Sequence, residues 1–190
     1  MALPLSRIYP VEIVRRFCPS ELGLPSAAEL DRGEEEGLAG NQQYQDMRCV
    51  SWEDAAKAVA YEAVLFDRFE TVEDLDAEAE QFEHERFYGD DELCGLDIGV
   101  AGAVFVLSAL GAIPVASCNA GGFGGHHAAI FPYVAFFLTP ALADTVSKIA
   151  EKAAIGLDIV GDGIGRIYGR TDLDLHRFAN VALSHYRGTV

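Results

Sequence analysis

Basic residues are scarce in this chain: 14 lysines and arginines stand against 30 aspartates and glutamates, a net charge of -16 over 190 residues. Nucleic-acid binders need a basic patch to displace counterions from phosphates, so the balance argues against DNA or RNA as a direct ligand. The deficit is also local. Residues 1 to 96 hold 23 acids and 8 bases, whereas residues 97 to 190 hold 7 and 6. The acidity therefore belongs to the N-terminal half, where it serves solubility or offers a surface to a basic protein partner.

Cysteine is sparse as well. Cys18, Cys49, Cys94 and Cys118 show neither C-x-x-C spacing nor the density of a secreted disulfide scaffold, so reduced thiols are expected. No N-x-[ST] acceptor occurs, and MALPLSRIYPVEIVRRF puts prolines and charges where a signal peptide needs its apolar run. The expected location is cytoplasmic. Charge is missing altogether from residues 98 to 143, a stretch long enough to cross a bilayer. Its flanks lack lysine and arginine, and Pro114, polar Ser117, Cys118 and Asn119, and a run of glycines interrupt it, so a buried core segment is expected rather than a membrane span.

What is present describes a packed protein, since half the residues are hydrophobic and 10% are aromatic. The length suits one domain with at most a subordinate lobe. Residues 1 to 50 read as an irregular segment with one short helical turn at 11 to 17 and a solvated loop at 31 to 40. Residues 51 to 92 read as an acidic helical lobe. Residues 97 to 190 read as an α+β core on which that lobe packs.

Within the lobe, Ser51 and Asp54 have capping-box spacing, and Trp52, Ala55, Ala56, Val59, Ala63 and Phe66 recur on one helical face, predicting a helix over 52 to 69. A second helix is expected behind Thr71 and Asp74, with Val72, Leu75, Ala79 and Phe82 as its apolar stripe. Its other face is nearly all carboxylate. Within the core, residues 98 to 110 are apolar all round, which requires burial on every side, against a sheet and beneath the lobe or a partner chain.

Strands are expected at 112 to 117 and 130 to 138. Pro140 then opens a helix that Gly156 ends, and strands at 157 to 160 and 164 to 168 flank the turn Gly161-Asp162-Gly163 before a last helix over 172 to 186. The order helix-strand-strand, helix-strand-strand, helix reads as a duplicated unit. It predicts a four-stranded, mainly antiparallel sheet with helices on one face.

The segment with most chemistry is S-C-N-A-G-G-F-G-G-H-H, residues 117 to 127. A connection of this length between paired strands is unusual outside functional loops. Gly121, Gly122, Gly124 and Gly125 let backbone N-H groups approach a ligand closely, as in an anion-binding nest. A hairpin would bring Cys118 and Asn119 at one end to His126 and His127 at the other.

Three chemistries fit these residues. A small polar or anionic ligand would be held by the N-H groups and oriented by Asn119 and a histidine. Cys118 would act as a nucleophile with His126 or His127 as base, although no orienting acid is recognisable near the loop. Cys118 and the two histidines, with Cys94 as an optional fourth ligand, would hold zinc, the weakest of the three versions, because neighbouring histidines on a strand point to opposite faces and only one would reach the ion. A plainer account makes the loop a glycine turn with a structural cysteine.

The G-D-G-I-G run at 161 to 165 lacks the strand before and helix after of a dinucleotide fingerprint, so a hairpin is expected there. Glu83, His84, Glu85, Asp90, Asp91 and Glu92 have no hard-cation loop spacing and read as a solvated face. His176 and His185 read as surface or boundary residues. Over about residues 97 to 137 the strand followed by Ser-Cys and a glycine loop resembles the tRNA wybutosine-synthesising protein family, from which no residue role or activity is carried over. The acidic composition departs from a tRNA-binding surface.

The reading placed first is a ligand-binding or regulatory module using the 118 to 127 loop, with the acidic helices facing a macromolecular partner. A cysteine-nucleophile hydrolase or transferase and a pure interaction protein are the alternatives. The sequence leaves the cofactor open, and a homo-oligomer is compatible with the apolar segment.

Overall fold

The computed structural model describes residues 7 to 89, 91 to 124 and 127 to 188. The fold is α+β. Its helices are α1 (Ala27–Glu36), α2 (Trp52–Glu70), α3 (Leu75–Tyr88), α4 (Ala101–Ala109), α5 (Ala143–Lys152) and α6 (Asp174–Arg187). The strands are β1 (Ile113–Cys118), β2 (Tyr133–Phe137), β3 (Gly156–Gly161) and β4 (Ile164–Tyr168), ordered β1-β2-β4-β3 with every pair antiparallel.

Alternation along β2 explains how the sheet is covered. Val134 and Phe136 face the main core, where Ile167 and Leu157 join residues of α4, α5 and α6. Ala135 and Phe137 face the other way and pack with Ile113, Val115, Leu38 and Tyr44. The second face is thus closed by the N-terminal segment. Leu30 of α1 packs against this cluster, and Gly33 sits under the Tyr44 ring, where a Cβ would meet Cε1 at 2.9 Å.

The N-terminal segment departs most from the sequence-based expectation. Residues 31 to 36 are not a solvated loop but part of α1, which a capping box of Ser26 and Glu29 starts, and residues 37 to 40 lie beyond its end. Residues 11 to 17 form no helical turn. They run extended along β3, with Leu157 N donating to Val14 O at 2.9 Å and Arg16 N to Leu157 O at 2.9 Å, so the edge of β3 is partly covered. The β-branched Val11, Ile13 and Val14 after Pro10 favour this conformation.

Other boundaries shift by short distances. Ser51 and Asp54 do form the capping box of α2. The cap of α3 is Asp74, whose carboxylate accepts from Ala77 N at 3.1 Å, rather than Thr71. Gly156 does not end α5, which stops at Lys152 with Ala154 in the left-handed region at φ 56°. Gly156 instead opens β3 where the Tyr168 ring occupies the space a Cβ would need. The 161 to 163 turn is the expected hairpin, flanked by β3 and β4.

Helix α4 is buried from Ala101 to Ser108, covered by α2 and α6, and touches β1. Its one hydroxyl is satisfied locally, Ser108 Oγ donating to Val104 O at 2.9 Å. No helix among the described residues is long and apolar enough to cross a membrane. Helix α3 leans on a separate cluster, where Phe82 meets Leu65, Phe69, Leu93, Ile98 and Phe123. Phe123 belongs to the glycine-rich loop, so this cluster joins the acidic helices to the segment singled out for its chemistry.

Candidate functional site

Two short stretches converge here: the turn before α4, which carries Asp97, and the connection from β1 to β2, which carries Cys118 and His127. Cys118 closes β1 opposite Tyr133 of β2, so the ladder fixes its position. Cys118 Sγ lies 3.6 Å from His127 Nδ1, and the same nitrogen lies 3.5 Å from Asp97 Oδ2. All three donor atoms fall within 4.8 Å of one another. The expected meeting of the two loop ends occurs for Cys118 and His127, and Asp97, which the sequence did not single out, joins them. Gly125 and His126 lie outside the described residues.

Asn119 is 5% exposed, and its side chain is committed within the protein. Its Nδ2 donates to Ile98 O at 3.0 Å and its Oδ1 accepts from Gly121 N at 2.9 Å. The amide therefore ties the loop to the turn that carries Asp97. It also folds the loop back on itself, with Ala120 at φ 57° and Gly121 at φ 73°. In this turn Ala120 N donates to Cys118 Sγ at 3.4 Å.

The remaining described glycines serve close approach to the protein itself. A Cβ on Gly122 would fall on the Asp172 carboxylate, and one on Gly124, at φ 85°, would meet Leu75 O at 2.5 Å. The loop is thus clamped between the start of α3 and the segment before α6. Asp172 is itself buried, accepting from Tyr9 Oη at 2.6 Å and Arg7 N at 3.2 Å. Burial raises its carboxyl above the usual aspartate range, against the lowering effect of these donors. Burial, then the hydrogen bond and charge of Asp172, push the Tyr9 phenol upward.

A second buried carboxylate holds the turn from the other side. Glu62 is fully buried in α2, and its Oε1 accepts from Gly99 N at 2.9 Å and Gly102 N at 3.3 Å. Its Oε2 faces His176 Nδ1 at 2.7 Å, so His176 is a boundary residue with an internal partner. No spacing rule could have linked Glu62 to His176, 114 positions away.

Open space adjoins the cluster. One pocket of ≈ 290 Å³ is lined by the polar Glu83, Asp97, Asn119 and His127 and by the apolar Phe69, Phe82 and Phe123 among others. A second, of ≈ 450 Å³, is lined by Asp97, Ser117 and Tyr133 among others. Asp97 borders both. These volumes lie near the lower end of small-molecule sites, and the mixture of apolar wall and a few polar groups is typical of them. Burial and the nearby Cys118 raise the Tyr133 phenol.

The other candidates lie elsewhere. Cys94 is exposed, at φ 52°, and stands outside the Asp97, Cys118, His127 group. In the acidic run, Glu85 pairs with Arg68, and Glu83 and Asp91 pair with Arg86, so several of those carboxylates are engaged. Asp90 lies outside the described residues. No protein-family model, curated protein or solved structure matches the chain.

Proposed function

We propose that the chain is a ligand-binding module whose site is the cleft between the Asp97 turn and the 118 to 127 loop, and that the ligand is small and polar or anionic. The observation that supports this most is the convergence of Asp97, Cys118 and His127 beside a pocket of ≈ 290 Å³. In this reading Asn119 positions the loop, Asp97 and His127 meet the ligand's polar groups, and Phe69, Phe82 and Phe123 form the apolar wall. Glycines at 121, 122 and 124 allow the loop's tight course between Asp172 and Leu75.

The test is an amide-resolved NMR screen with a set of small carboxylic acids, phosphate and polar amines. Binders should shift residues 95 to 98 and 118 to 124, and affinity should fall tenfold or more in the double variant Asp97→Asn with His127→Gln. Binders that map elsewhere, or that keep their affinity in the double variant, contradict the proposal.

A Cys118 nucleophile with His127 as base is the second reading, supported by their 3.6 Å contact. A relay through histidine needs its two ring nitrogens to serve two partners. Here Nδ1 faces both sulfur and carboxylate, so this reading requires the ring to turn. For the acidic half we keep a basic macromolecular partner as the proposal, with exposed Phe87 and Tyr88 at the end of α3 within the contact surface. Such binding should weaken steeply with rising salt. A cytoplasmic setting remains part of the proposal, motivated by the few, widely spaced cysteines.

A further inference from the structure

We infer that Asp97, Cys118 and His127 are the three protein ligands of a zinc-type divalent metal site, with the fourth position left for a water or for the ligand of the adjacent pocket. The inference rests on the same cleft being the functional site and names what would give that cleft its chemistry. The donor set is the first ground. Thiolate, imidazole and carboxylate together suit zinc, whereas magnesium and calcium take oxygen ligands.

Distance is the second ground. Bonds of about 2.3 Å to sulfur and about 2.0 to 2.1 Å to nitrogen and oxygen, at tetrahedral angles, put neighbouring donors roughly 3.4 to 3.6 Å apart. The contacts from His127 Nδ1 are 3.6 Å to Cys118 Sγ and 3.5 Å to Asp97 Oδ2. One nitrogen facing both partners is awkward for a proton relay, but it is the arrangement that ligation of a single ion requires. The objection that adjacent histidines diverge on a strand does not apply, since one histidine and Asp97 suffice.

Supporting contacts are the third ground. Ala120 N donates to Cys118 Sγ at 3.4 Å, the kind of backbone contact that steadies a metal thiolate. Asn119 links the Cys118 segment to Ile98, the neighbour of Asp97, at 3.0 Å. Charge also closes: a divalent ion bound by one thiolate, one carboxylate and a neutral imidazole forms a neutral centre, with one proton released where the thiol was protonated. Three protein ligands with an open fourth position is the pattern of catalytic rather than structural zinc. Asp97 and His127 line the ≈ 290 Å³ pocket, so a ligand there would sit beside the ion.

The experiment is metal titration of chelator-treated full-length protein with zinc and, separately, cobalt. One equivalent of zinc should bind per chain, and cobalt should give a thiolate charge-transfer band with the intense visible bands of tetrahedral geometry. Cys118→Ser should abolish the charge-transfer band, and Asp97→Asn and His127→Gln should each weaken zinc at least tenfold, with circular dichroism unchanged. Cys94→Ser should bind as the parent does. Absence of stoichiometric metal, or a charge-transfer band that survives Cys118→Ser, overturns the inference.

The NMR screen run on the metal-free protein separates the two proposals. Binders in the cleft without metal uptake would refute the metal site alone. Metal uptake with no binders in the cleft would refute the ligand reading while supporting the metal site.

Discussion

Glu62 of α2, fully buried, and His176 of α6, partly buried, are joined at 2.7 Å, and the second oxygen of Glu62 holds the backbone at Gly99 and Gly102. A carboxylate is tolerated there because three donors meet it. The pair locks α2, α4 and α6 together and fixes the turn two residues from Asp97.

Removing His176 leaves the buried Glu62 Oε2 without its hydrogen-bond partner. His176→Ala should therefore lower stability by about 3 kcal/mol, measured by urea unfolding. The Gly102 amide leaves no room beside Glu62, since a Cβ would meet Oε2 at 2.7 Å, so Gly102→Ala should destabilise as well. A change under about 0.5 kcal/mol for His176→Ala would show the pair to be incidental.

Asn119→Ala removes two hydrogen bonds from a residue that is 5% exposed. The cost should be about 1 to 3 kcal/mol, because Ile98 O and Gly121 N lose their partner. The functional consequence should be larger than the loss of fold: zinc and ligand affinity should both fall while the helical signal is retained. Equal affinity in the variant would remove the positioning role.

Gly122 and Gly124 separate two kinds of constraint. Gly122→Ala sets a methyl against the Asp172 carboxylate, whereas Gly124→Ala combines a clash at Leu75 O with φ 85°. Both should cost more than the roughly 1 kcal/mol of an unhindered glycine substitution in the left-handed region. Gly40→Ala is the control, since φ is 81° there and nothing lies within 4 Å. Thermal unfolding ranks the three, and a Gly122→Ala as mild as Gly40→Ala would contradict the packing described.

The Tyr9 phenol predicts an alkaline limit. Its folded pKa is raised by burial first and then by Asp172, so above about 10 the unfolded chain loses this proton before the folded one does. The contribution is fully present below that value and declines as pH rises beyond it. Tyr9→Phe should be less stable at neutral pH, by about 1 to 2 kcal/mol, and should lose less on going alkaline. Parallel pH profiles for the two proteins would refute the assignment.

Much of this fold was legible because periodicity and caps are local. The Ser51 to Asp54 box, the all-apolar α4 and the Gly161-Asp162-Gly163 hairpin are all written in adjacent residues. The Ser26 to Glu29 box was equally local and marks α1, which residues 31 to 40 alone obscured. What lay beyond reach was long-range. Asp97 stands 30 positions from His127 in sequence, and nothing in its surroundings marks it as a partner of the loop. The loop glycines were visible as permissive backbone, but that they accommodate Asp172 and Leu75 depends on elements elsewhere in the chain.

Differential alkylation of the four cysteines, with and without one equivalent of zinc, tests most directly whether Asp97, Cys118 and His127 act as one unit. Iodoacetamide should modify the exposed Cys18, Cys49 and Cys94 equally in both conditions, while zinc protects Cys118. That protection should disappear in Asp97→Asn and in His127→Gln. Cys118 modified at the same rate with and without zinc, or protected equally in both variants, would contradict the account.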